Sequence, residues 1–165
     1  MNQLTEVMIT DPRWDALELE TLAETACLVA LEISGVNPEG FEVSVMGCDD
    51  ARIAELNTEF RGKPAPTNVL SWPAFELAAR AAGTLPIQPK ASHPPESIGD
   101  IAIAFETCQR EADEKNIDIN HHVTHLVLHG CLHLLGYDHE NDADATLMEG
   151  LEIKALAKLG IGNPY

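Results

Sequence analysis

At 165 residues, with 27 acidic against 10 basic side chains and a net charge of −17, the chain is expected to fold as one domain, 1–165, around a single core. That charge disfavours long-range attraction to any polyanion. No apolar run approaches the roughly 18 residues of a membrane span, the opening M-N-Q-L-T-E-V lacks the basic start of a signal peptide, and Cys27, Cys48, Cys108 and Cys131 form no C-x-x-C pair. A cytoplasmic chain with reduced core thiols is expected.

Residues 5–10 alternate weakly and read as a first strand. Asp11 before Pro12 predicts a helix start, with a carboxylate cap and proline in the first turn. The stripe Leu17, Leu22, Ala26, Leu28, Val29 and Ile33 carries one long helix to Gly35. Residues 41–46 alternate with period two, the pattern of a half-buried strand. Asp49 or Asp50 caps a second helix with Ile53, Leu56 and Phe60 inward, and its end delivers Arg61 to the loop 62–66. Residues 68–72 form a short strand that Pro73 ends or turns into an edge.

A short helix is expected over 75–82, and the proline-rich stretch to Ser97 is expected as a loop or lid. Residues 99–105 alternate again. A polar helix follows over 106–115. Asn120 or His121 opens a buried helix ending at Leu135, and 142–159 is an amphipathic helix with Leu147, Leu151, Leu156 and Leu159 inward. Helices and strands interleave without strict β-α-β order. The class predicted is α+β: a mixed sheet of about four strands with about five helices, and a metal site on the buried helix.

That site is H-G-C-L-H-L-L-G-Y-D-H, residues 129–139. His129 and His133 stand one turn apart on one helix face. Gly136 supplies the left-handed residue that stops the helix, so His139 turns back toward both rings. Three imidazoles with a fourth position open are the usual make-up of a catalytic zinc site. His125 lies two turns from His133, about 12 Å along the axis, too far to share an ion with it, and is read as a neighbour of the site. Cys131 points away from the two helical histidines. The spacing matches the metzincin peptidases, but the glutamate that follows the first histidine there is replaced by Gly130.

The same residues resemble the motif of the YbeY-type endoribonucleases, bacterial metal-dependent enzymes of ribosomal RNA maturation. Leu56-Asn57, Phe60-Arg61-Gly62-Lys63 and Pro66-Thr67-Asn68-Val69-Leu70-Ser71-Trp72-Pro73 are similar to a second block of that family, and Gly99-Asp100-Ile101 to a third. Trp72 stands where phenylalanine is commoner, and the stretch between Pro73 and Gly99 follows no family pattern. The resemblance implies the same α+β fold and zinc-dependent cleavage of single-stranded RNA in 16S rRNA 3′-end maturation and ribosome quality control. The all-imidazole ligand set predicts one zinc per chain; the resemblance also implies the ribosomal small subunit and an Era-type GTPase as partners, and an essential role for the arginine that Arg61 matches.

Phosphodiester cleavage builds negative charge on the phosphate, which a forked guanidinium suits. Arg61 is the candidate for that task, with Lys63 nearby as added positive charge. Thr67, Asn68 and Ser71 are candidates to line the substrate groove, and Tyr137 to stack on a base. Asp138 is read either as a catalytic carboxylate or as the group orienting a ligand histidine. Two alternatives stay open: a zinc peptidase or amidohydrolase with its base elsewhere, and a non-catalytic ribosome-assembly factor.

Overall fold

The computed structural model describes residues 3–165. In chain order the elements are β1 (Thr5–Ile9), α1 (Arg13–Ala16), α2 (Leu19–Ile33), β2 (Phe41–Cys48), α3 (Asp50–Arg61), β3 (Val69–Pro73), β4 (Glu96–Ala104), α4 (Phe105–Lys115), α5 (Ile119–Leu134) and α6 (Asp142–Lys158). The strands form one sheet in the order β1-β2-β4-β3. β1 and β4 run parallel to β2, and β3 pairs antiparallel with β4 at the rim. The α+β class and the mixed four-stranded sheet are therefore as expected, with six helices among the described residues rather than about five.

Alternation along β2 places Phe41, Val43 and Val45 on one face, where Ile101 and Ile103 of β4 join them. α2 and α5 bury that face, and α6 packs on both helices. Ile53 and Leu56 of α3 cover part of the opposite face over Leu70, Ala102 and Ala104. α5 crosses the sheet beside the rim strand. A methyl group added at Gly130 would stand 3.4 Å from Ile101 Cγ2, in ordinary van der Waals contact, so the helix lies close against β4 there. None of the helices described is long and apolar enough to cross a membrane.

Five expectations need correction. The long first helix is two pieces, because Glu18 takes a left-handed φ of 51° between α1 and α2. In an unbroken helix Trp14 and Leu19 would point about 140° apart, yet both side chains press on Gly47. The break re-aims them, and Trp14 Nε1 donates to the Cys48 carbonyl at 2.9 Å. Asp11 is spent differently from a simple cap: it accepts from the Arg13 amide and pairs with the Arg13 guanidinium at 2.6 Å.

Residues 75–82 form no helix. Leu77 is buried, and its carbonyl accepts from the Ile87 amide at 2.8 Å instead of from a residue four positions on. The last strand starts at Glu96 rather than Gly99, drawn out by pairing with Phe41 and Glu42. The inward face of α6 is also rotated: Met148, Glu152, Ala155 and Leu156 are buried, while Leu147, Leu151 and Leu159 are only partly so.

Candidate metal centre

α5 starts on Asp118, whose side chain accepts from the Asn120 amide, and ends in a Schellman turn. The Tyr137 amide donates to Leu132 O at 3.1 Å and the Gly136 amide to His133 O at 3.0 Å. Gly136 sits at φ 100°, where a Cβ would lie 2.5 Å from Leu77 O, so only glycine fits. This turn carries His139 back over the helix. A ring nitrogen from each of His129, His133 and His139 lies within 4.8 Å of the other two.

The partners of the two helical rings settle their tautomers. His133 Nδ1 lies 2.9 Å from the Tyr137 carbonyl, and His129 Nδ1 lies 3.0 Å from Glu152 Oε1. Carbonyl and carboxylate oxygens only accept, so in the neutral rings both Nδ1 atoms carry the proton and both Nε2 atoms are bare. Those two Nε2 atoms face each other at 3.0 Å. Opposed lone pairs at that distance repel unless a proton or a cation lies between them. Burial, with the neighbouring His129 adding to it, brings His133 down to about 4, so the His133 ring itself takes no second proton at neutral pH, and a cation between the two nitrogens relieves the repulsion. Nitrogens bound to one ion at about 2.0–2.1 Å stand no more than about 4 Å apart. The donor set therefore fits a metal that prefers imidazole.

Glu152 was not singled out from the sequence. Its Oε1 accepts from His125 Nε2 at 2.8 Å and from His129 Nδ1, and its Oε2 accepts from the Tyr165 hydroxyl at 3.0 Å. Burial alone would raise this carboxyl; the two histidine hydrogen bonds outweigh it and hold the group at about 2. Burial and the adjacent carboxylate raise the Tyr165 hydroxyl, which stays a donor. A signal was present: Glu152 lies four residues after Met148 and four before Leu156, a carboxylate in the middle of a buried stripe. His125, read as a neighbour, touches the ligand set through this carboxylate.

Arg61, Asn68 and Ser71 come together with the three histidines around a groove of about 250 Å³. α3 lies on one face of the sheet and α5 on the other, so Arg61 meets the histidines around the rim strand β3. Arg61 is exposed and makes no ion pair among the described residues, in a chain rich in carboxylates. The Asn68 amide is engaged internally: Nδ2 donates to Glu111 at 3.0 Å and Oδ1 accepts from the Val69 amide at 2.6 Å. Glu111 is held in turn by the buried His122 at 2.9 Å.

The remaining candidates lie elsewhere. Lys63 is exposed and Thr67 half-buried, and neither lines the groove. Tyr137 is only 7% exposed and lines depressions away from the histidines, so its ring offers no face to a base and its carbonyl does the work at His133. Asp138 Oδ1 accepts from the His139 amide at 2.8 Å and belongs to a depression beyond the turn. Of the two roles read for Asp138, orienting the histidine segment is the one this contact serves.

The chain is similar to known proteins along almost its whole length. A family profile described as Endoribonuclease YbeY matches residues 7–160. A protein of Ruegeria pomeroyi called Endoribonuclease YbeY is 55% identical over 161 residues, covering 97% of this chain and 96% of that one. One of Cereibacter sphaeroides with the same name is 53% identical over 167 residues, covering both chains fully at 100%. The solution structure of TM1509 from Thermotoga maritima superposes with a TM-score of 0.57 at 23% identity, over 94% of this chain and 91% of that one, a likeness of fold. On the extent of the profile match and the identity of these relatives, the chain belongs to the endoribonuclease YbeY family.

Proposed function

We propose that the chain, as one domain over 1–165, is a zinc-dependent endoribonuclease acting on single-stranded RNA. The observation that carries this is the pair of bare Nε2 atoms facing each other at 3.0 Å, with an unpaired guanidinium on the same groove. His129, His133 and His139 would hold one zinc ion. Bound there, zinc supplies Lewis acidity toward a phosphoryl oxygen and a water acidic enough to ionise near neutral pH.

The chain's own residues do the rest. Arg61, unclaimed by any carboxylate, binds the phosphate through its forked N–H groups and counters the charge that builds there. Lys63, exposed two residues on, adds positive charge for the strand as it enters. Ser71 contributes groove wall, and Asn68 shapes that wall, locked by Glu111. Thr67 precedes Asn68 and helps set the start of the rim strand. Asp138 holds the backbone of His139, which keeps the third imidazole turned toward α5. No carboxylate stands where a zinc peptidase places its base, since Gly130 occupies that position against Ile101.

In the cell we place this activity in the cytoplasm, in 16S rRNA 3′-end maturation and ribosome quality control, with the ribosomal small subunit and an Era-type GTPase as partners. A body carrying −17 gains little from counterion release on RNA, so partners that present the substrate fit its electrostatics. The test is cleavage of a single-stranded RNA by purified protein, with bound metal measured in parallel. Cleavage that tracks zinc content and is lost in His133→Ala supports the reading; peptide cleavage without RNA cleavage, or full activity in His133→Ala, overturns it.

A further inference from the structure

We propose that Glu152 is the positioning residue of this centre, the group that turns His129 so that its Nε2 lone pair faces His133; this rests on the metal reading above. The side chain is fully buried, and every hydrogen bond it makes among the described residues goes to the groove: His125 and His129 on one oxygen, Tyr165 on the other. Among the described residues no lysine or arginine pairs with it. A carboxylate out of water is costly unless its oxygens are satisfied. Met148, Ala155 and Leu156 already make the rest of the α6 contact, and an apolar residue would pack there at less cost.

What a carboxylate does that an apolar residue cannot is choose a tautomer. A neutral imidazole in water prefers its proton on Nε2, which would leave His129 unable to bind an ion on the side facing His133. Accepting at 3.0 Å from Nδ1 forces the proton to the other nitrogen and fixes the ring about its axis. Glu152 accepts from His125 Nε2 in the same way, leaving that ring edge-on to Tyr165 with centroids 5.8 Å apart. One buried carboxylate therefore sets the ligand nitrogen of His129 and the orientation of the wall beside it. His133 needs no such help, because the backbone carbonyl of Tyr137 performs the task.

Two measurements on the full chain test this. Zinc affinity, by competition with a chelator, should fall about 10- to 100-fold in Glu152→Gln. Proton NMR of the zinc-loaded protein should show protected Nδ1–H resonances from His129 and His133. Glu152→Gln should lose or displace the first and keep the second, which reports an intact helix end. Tyr165→Phe removes only a hydroxyl from an exposed ring and so keeps the fold; it should shift the His129 resonance while leaving that of His133 in place. If Glu152→Gln fails to fold, that shift decides alone. Wild-type zinc affinity in Glu152→Gln, or an unmoved His129 resonance in Tyr165→Phe, overturns the proposal. Absence of zinc binding by the wild type would instead remove the metal reading on which it stands.

Discussion

His133 Nδ1 donates to the carbonyl oxygen of Tyr137 at 2.9 Å, so the turn that ends α5 also orients a ring of the candidate centre. Helix termination and ring placement are one structural event. Damage to the turn should reach the histidines without touching them.

Gly136→Ala tests that link. The new methyl would meet Leu77 O in a backbone conformation with φ 100°. Strain of this kind costs about 1–3 kcal/mol. The melting temperature should drop by several degrees, and zinc affinity should weaken with it because His139 is displaced. Calorimetry and chelator competition measure both; unchanged values in both would separate the turn from the centre.

Replacing His129 or His133 by alanine should strip the metal and lower the melting temperature of the loaded protein toward that of the metal-free form. Elemental analysis reads the first effect directly. Zinc retained at wild-type stoichiometry after both replacements would mean that the ligands lie elsewhere.

Arg61→Ala should leave metal content and melting temperature unchanged, since the side chain is exposed and unpaired. RNA cleavage should fall roughly 10- to 100-fold, the value of one charge-assisted contact of about 1.5–3 kcal/mol. Wild-type cleavage rates would exclude Arg61 from the reaction.

The metal-free protein should lose stability as pH falls. His133 titrates at about 4 folded against 6.5 unfolded, so between those values the unfolded chain binds the extra proton. Stability is thus fully present above about 6.5 and declines as pH drops toward 4. Glu152, at about 2 folded against 4.5, extends the decline below 4.5. A pH series of melting temperatures should show the upper part of this slope flattened in His133→Gln, and an identical slope in that variant would place the titration on another group.

Much of this was legible in the chain. Four-residue spacing put His129 and His133 on one face, and Gly136 announced the stop that returns His139, because both features depend on local backbone geometry alone. Alternation revealed β2 for the same reason. What escaped depended on partners distant in sequence. The break at Glu18 exists so that Trp14 and Leu19 both reach Gly47, and the helix expected over 75–82 gave way because Ile87 claims the Leu77 carbonyl. Glu152 was passed over because a carboxylate inside an apolar stripe reads as a solvated residue until its donors on α5 and at Tyr165 are seen.

The short segment that the Schellman turn folds back has a further effect, in the unfolded chain. It joins three donors that are separated by few residues, and a loop of roughly ten residues closes at small entropic cost, in about 10–100 ns. An unfolded chain can therefore gather the same three imidazoles around zinc, though without Glu152 to align them. Ligand that also binds the unfolded state stabilises the native one by less than its full binding energy. The rise in melting temperature on adding zinc should fall short of what native affinity alone would give, and the shortfall measures how much of the centre belongs to the segment 129–139 rather than to the fold.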